Sequence, residues 1–245
     1  MRFIGDFFHG EKMSIYGFVA VRDDIDHLRN YIFNRSSDHA QEITPDARDL
    51  VLIPPARGIS APFSVVVEYC LKVKTSGCDV SEEDGVLIDG CFQFRQSPMA
   101  GKVQLHKVRL FGPLGPLLDI RFALFRFAVE ATIDVKVKRA IAGHSLSKVA
   151  VASAVVAVEL GCKLKLRFEI VSEELGCGLG RHVRKSSHEL FFTSQKHKSR
   201  KGAIVMGRMF KLAAKVTWST MGDKYSQLFH SNTSLLGHQD GPCIF

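Results

Sequence analysis

Ten basic side chains crowd into residues 181–215 and face Glu189 as the only acid there. They are Arg181, Arg184, Lys185, Lys196, Lys198, Arg200, Lys201, Arg208, Lys211 and Lys215, with Phe191, Phe192 and Phe210 interleaved. Clustered lysines and arginines neutralise phosphates and release counterions, and an exposed aromatic ring can stack a base. Arg181, Arg184, Lys185, Lys196, Lys198, Arg200 and Lys201 are therefore the candidate residues for binding nucleic acid or another anion. The plainer reading makes Lys196 to Lys201 a solvated hairpin loop and puts Phe191 and Phe192 in the core, since basic runs are common on surfaces. Asp23, Asp24, Asp26 and His27 offer ligands to a hard cation, but they match no EF-hand loop, and turn capping explains them more simply. His182, His188 and Glu189 are the residue types of acid–base catalysis, and Ser186 or Ser187 could be nucleophiles. Residues that are merely adjacent do not provide the mutual geometry such chemistry needs. Gly176 to Arg181 is glycine-rich but lacks the Lys-Ser/Thr pair of a phosphate-binding loop, so a plain loop is expected. No catalytic residue, metal site or cofactor is assigned.

The elements that must position these residues are strands. Val65, Val67, Tyr69, Leu71 and Val73 alternate with Val66, Glu68, Cys70, Lys72 and Lys74, the period-two pattern of a strand with one wet face. The same pattern runs over Val129 to Lys138, Leu160 to Ile170 and Phe210 to Ser219. Weaker strand patterns cover Ser14 to Arg22, Leu50 to Ile53, Val86 to Arg95, Lys102 to Phe111, Leu117 to Phe127, Val149 to Val158 and Glu189 to Thr193, with turn chemistry between them. Asp24 to Phe33 reads as a capped turn or short helix, because Leu28, Tyr31 and Ile32 fall at helical spacing behind Asp23 and Asp24. No helical stretch long enough for a βαβ crossover is found, which excludes a parallel nucleotide-binding sheet. The expected fold is all-β: an antiparallel two-sheet sandwich, with a flattened barrel second, carrying at most one or two short helical turns.

Composition agrees with a globular domain. The chain has 245 residues, 46% hydrophobic and 24% charged, with a formal net charge of +8. It is long enough to bury a sizeable core without disulfides or a structural metal. Residues 1–180 balance 22 basic against 22 acidic residues, so the whole excess lies in 181–215. Six scattered cysteines form no CxxC pair, and free, partly buried thiols are expected. The longest apolar run, Val149 to Val158, is far shorter than the roughly 20 residues of a membrane span. No signal peptide is apparent, so an intracellular, cytoplasmic protein without a membrane partner is expected. The organisation reads as an N-terminal lead (1–13), one β-rich domain (14–221) and a loosely ordered tail (222–245).

Particular strings carry a resemblance. Tyr16-Gly17-Phe18-Val19-Ala20-Val21-Arg22-Asp23-Asp24 followed by Leu28-Arg29-Asn30-Tyr31-Ile32-Phe33-Asn34-Arg35 resembles the opening of the DUF6598 domain family of grass plants. Pro55-Ala56-Arg57-Gly58-Ile59, Leu71-Lys72-Val73-Lys74, Val129-Glu130-Ala131-Thr132-Ile133, Val155 to Leu160 and Val216-Thr217-Trp218-Ser219 look like later blocks in the same order. Members of that family are sometimes fused to ribosome-inactivating rRNA N-glycosidase domains, and the family itself has no assigned catalytic residues. The glycosidase motif needs an Arg three residues after its Glu. Glu130 has Ile133 there and reads as a strand surface residue. The stretch 138–148 is shorter than in relatives, which predicts an open sheet edge blunted by Lys138, Arg139 and Lys148. The resemblance implies an uncharacterised, non-enzymatic interaction module of stress or defence physiology with a protein partner. The alternative is an RNA- or ribosome-associated accessory domain that uses the basic segment.

Overall fold

The computed structural model describes residues 1–4, 12–62, 64–74, 85–95, 101–113, 115–139, 152–175, 181–206, 210–220 and 243–244. Among them the chain forms β1 (Arg2–Phe3), β2 (Met13–Arg22), β3 (Asn30–Arg35), β4 (Gln41–Ile43), β5 (Ile59–Ser60), β6 (Ser64–Lys74), β7 (Gly85–Arg95) and β8 (Val103–Gly112). It continues with β9 (Gly115–Phe125), β10 (Ala128–Arg139), β11 (Ala152–Glu159), β12 (Lys163–Leu175), β13 (Arg181–Thr193), β14 (Lys198–Met206), β15 (Phe210–Ser219) and β16 (Cys243–Ile244). The one helical element is a 3-10 turn at Ser37–His39. All pairings are antiparallel and no sheet closes into a barrel, so the sandwich is present and the barrel is not. Among the described residues no helix is long and apolar enough to cross a membrane.

Two pairs of sheets bury two cores. In the first, β3-β2-β6-β7, with β4 on β2, faces β1-β9-β16-β5, with β8 on β9. Phe3, Ile15, Val19, Phe33, Leu71, Leu118 and Leu124 meet between them. In the second, the sheet β11-β10-β15-β14 is covered by the β12-β13 hairpin. Val129, Ala131, Val216 and Trp218 of the sheet pack against Phe192, Leu164, Phe168 and Leu190 of the hairpin. Because paired strands alternate in step, one face of each sheet is dry and the other is wet.

Several expectations need correction. Asn30–Arg35 is a strand paired with β2, not the end of a short helix. Leu50 to Ile53 is not a strand: nearby there is only an isolated bridge between Arg2 and Asp49, and Pro54-Pro55 ends the extended run. Leu160 begins a turn through Gly161, so β12 starts at Lys163. Lys198 to Lys201 lies in β14, and only the short turn before it is loop. Cys91 and Cys162 are exposed thiols, while Cys70 is partly buried. β10, before the shortened stretch, is flanked by β11 and β15, whereas β11, after it, pairs among the described strands with β10 alone; residues 140–151 lie outside the described residues. Of the tail, residues 221–242 and 245 also lie outside them, and Cys243–Ile244 pairs with β5 and β9.

Two local devices shape the first core. Gly17 sits in the middle of β2 at φ +112°, and a methyl there would collide with the Cys70 carbonyl oxygen of β6. Asp119, on β9, is buried and holds Arg109 Nε at 2.8 Å and Lys107 Nζ at 2.7 Å from β8. The Arg109 hydrogen bond outweighs burial and, with Lys107, holds the Asp119 carboxyl at about 2.

Gly17→Ala should lower the unfolding free energy by about 3 kcal/mol or more, combining backbone strain with a clash. Gly161→Ala, at φ +84° with open space around it, should lose only about 1 kcal/mol. Equal urea midpoints for the two variants would refute this account. The Asp119 contribution is fully present above the ordinary carboxylate value near 3.8 and is lost as pH falls toward about 2. The stability gap between wild type and Asp119→Asn, followed by urea titration from pH 5 downward, should therefore close on acidification.

Candidate functional site

Three of the blocks that carry the resemblance, the opening one and those around Arg57 and Glu130, meet around one buried carboxylate. Asp23 ends β2 with its side chain 1% exposed. Its Oδ1 accepts Ile25 N at 3.1 Å, Asp26 N at 3.1 Å and Arg57 Nη2 at 2.8 Å. Its Oδ2 accepts Arg57 Nη1 at 2.7 Å and Ser60 N at 2.8 Å. A carboxylate offers about four lone-pair sites, so five donors leave Asp23 no free position for a metal. Arg57 also donates to the Gly58 and Asp26 carbonyls. Burial alone would lower its pKa, but the Asp23 hydrogen bonds and the charges of Asp23, Asp26 and Glu130 raise it overall. Asn30 clamps the same segment by donating to Arg57 O and accepting Ala56 N, each at 2.8 Å. Glu130, on β10, accepts Gly58 N at 2.7 Å and so ties this hub to the second core. Glu130 is thus a connector between the two cores, a role its surface-strand reading missed. The cue in the sequence was its place in a family block together with Arg57.

The expected turn capping is present, as Asp26 Oδ1 also accepts Leu28 N at 2.9 Å. Among the described residues no three His, Cys, Asp or Glu side chains converge on a metal position. On β13, His188 and Glu189 point to opposite faces as strand neighbours must. Glu189 is held by Lys165 at 2.9 Å, and Ser187 Oγ accepts Arg167 Nε at 3.1 Å. The backbone of β13 sets His182 opposite Glu174. Residues 176–180 of the glycine-rich stretch lie outside the described residues.

The basic candidates are divided among surfaces. Arg181 and Arg184 occupy β13 opposite Leu175 and Ser172 of β12. Lys185 lies further along β13 on the outer face of the hairpin, in line with Phe191, which is 57% exposed and pairs with Lys165. Phe192, its neighbour, is buried, so the two phenylalanines face opposite ways. Lys196 lies in the turn, exposed. Lys198 and Arg200 share the side of β14 that turns toward the hairpin, where Gly202 abuts Phe192 and Leu190. Lys201 lies on the opposite, outward side, paired with Lys215. Register also brings Lys163, Lys165 and Arg167 beside Phe191, a grouping no count over 181–215 reveals, while Lys185 lies farther along, opposite Val171.

One shallow depression of about 480 Å³ is lined by Arg22, Leu28, Arg29 and Tyr31. Glu68 bonds both arginines, Arg29 Nε at 2.6 Å and Arg22 Nη2 at 3.2 Å. Those bonds, led by Arg29, hold the Glu68 carboxyl below its usual range. Arg29 also covers the Phe18 ring at 4.6 Å. Charged as it is, Glu68 is a partner for cations and a poor proton donor.

Asp23→Asn should cost about 3–5 kcal/mol, because it leaves the half-buried Arg57 charge without its counterion. Pairing Asp23→Leu with Arg57→Met should recover part of that loss. Unchanged urea midpoints in the single variant would show that the hub is not a stabilising element.

The model of a family described as a domain of unknown function (DUF6598) matches residues 9–153, more than half of the chain and the part that contains Asp23, Asn30, Arg57 and Glu130. No curated protein and no solved structure matches the chain. The blocks beyond residue 153 lie outside the match. With its opening strands, its Arg57 segment and the first strand of its second core all inside the matched region, the chain belongs to the DUF6598 domain family.

Proposed function

We propose that the protein is a non-enzymatic interaction module, of the stress or defence kind the resemblance implies, that takes up a protein partner along the edge strand β8. The observation that carries this reading is an exposed apolar row on that strand. Val103, Leu105 and Phe111 point outward, with Leu105 84% and Phe111 65% exposed. Among the described strands β8 pairs with β9 alone, so its outer edge presents unpaired backbone donors and acceptors. Lys107 and Arg109, the charges in the same row, are both engaged by Asp119. An extended peptide that adds a strand here gains main-chain hydrogen bonds along the edge and apolar contacts at alternate positions. The commitment of Asp23, Glu68 and Asp119 to arginines and lysines supports the non-enzymatic half of the reading.

The test is selection of a displayed short-peptide library on wild type and on Leu105→Lys/Phe111→Lys. The double variant replaces exposed side chains and should unfold within about 0.5 kcal/mol of wild type. Wild type should enrich peptides with alternating apolar residues and the variant should not. Equal enrichment on both proteins would remove β8 as the docking edge.

A further inference from the structure

We propose that the outward face of the β11-β10-β15-β14 sheet is a second binding site, and that it takes single-stranded nucleic acid through its phosphates. Residues paired across antiparallel strands share a face, so register alone assembles the site. Lys201 of β14 lies directly opposite Lys215 of β15, which in turn lies opposite Asp134 of β10. Two residues further along β10 is Lys136, and two beyond that Lys138 pairs with Lys211. Lys136, Lys201 and Lys215 are exposed, and among the described residues none of them forms an ion pair. Five lysines thus occupy adjacent positions of three neighbouring strands, with Asp134 as the acid among them. Two of these residues come from β10, whose sequence region is charge-balanced, so the grouping exists only in the folded chain.

Like charges directly opposite one another weaken a sheet. Lys201–Lys215 is such a pair, and a bound polyanion would relieve it. Same-face positions repeat about every 6.8 Å along a strand and about every 4.8 Å across strands. Such a spacing lets lysines meet consecutive phosphates of an extended strand one by one. Around the lysines stand Ala203, Ala213, Thr217 and Ser199, the last two within 3.1 Å of each other through their hydroxyls, and at the far end of β14 the exposed Val205. A flat floor of this kind admits a backbone and offers no aromatic platform, so contacts go to phosphates and binding is indifferent to sequence. It also lacks the Trp, Phe or Leu anchors with which interfacial segments enter a membrane. The outer hairpin face is less suited despite Phe191, because Glu189 and Glu169 engage Lys165 and Arg167 there.

The test is fluorescence anisotropy with labelled uridine and thymidine homopolymers from about 50 mM salt upward. The triple variant Lys136→Gln/Lys201→Gln/Lys215→Gln is compared with Lys163→Gln/Lys165→Gln/Lys185→Gln, which removes the same charge from the hairpin face. Neutralising five phosphates on a single strand gives a log–log salt slope of about −3.5, and the sheet-face variant should flatten it by about 2. Its affinity should fall at least tenfold while the hairpin variant stays within about twofold, and its Tm should be unchanged or higher once the Lys201–Lys215 pair is gone. Equal losses in the two triple variants would reduce the effect to net charge and overturn the site. So would absence of binding by folded protein at the lowest salt. Lysine-dependent binding to phosphatidylcholine–phosphatidylserine vesicles, without binding to either homopolymer, would reassign the face to a membrane surface.

Discussion

Much of the molecule hangs on the two parallel hydrogen bonds between Asp23 and Arg57. A charge pair taken out of water is stable only when its lone pairs and N–H groups find partners, and here both Asp23 oxygens are taken up while Arg57 Nη1 and Nη2 each donate to Asp23 and to a carbonyl. Asp23 gathers the turn after β2, the start of β5 and the guanidinium into one knot, and Asn30 pins the same segment from β3. Through Gly58 and Glu130 the knot reaches β10. Strands far apart in sequence are therefore held by polar groups at one point, whereas hydrophobic contact alone would leave their relative placement less specific.

The two cores leave different surfaces to solvent. In the first pair of sheets β8 exposes Val103, Leu105 and Phe111, and its charges are already engaged by Asp119. In the second, the outward sheet face sets lysines among mostly small side chains, with Val205 exposed at one end. An edge of apolar side chains and a face of lysines have little chemistry in common. Each surface is carried by regular strands, so its spacing follows from sheet geometry more than from loop conformation.

Alternation made most of the strands readable, from β2 and β6 to β10 and β15. It failed where another force set the backbone. Leu28, Tyr31 and Ile32 fall at helical spacing, yet Asn30–Arg35 is a strand because β2 offers it a ladder and Asn30 offers its amide to the Arg57 segment. The string Lys198-Ser199-Arg200-Lys201-Gly202 carries no apolar period, so β14 looked like a loop. Its inward positions are Lys198 and Arg200 near the hairpin's open end and then Gly202, where a side chain would meet Phe192. The candidate cations were legible by type and number. Their grouping was not, because register, which is a tertiary property, decides that Lys201 stands beside Lys215 and near Lys136 while Lys185 turns to another face.

The place of β10 has a consequence for how the chain is made. Its partner β15 begins only after the 70 intervening residues 140–209. At a translation rate of about 5–20 residues per second, one side of β10 waits about 4–14 s for its neighbour. A nascent strand of alternating valine, alanine and isoleucine with a bare edge is a template for aggregation on the ribosome, and Lys136 and Lys138 stand along that edge as charged gatekeepers. The same lysines that give the finished sheet its positive face thus guard the unfinished one during synthesis.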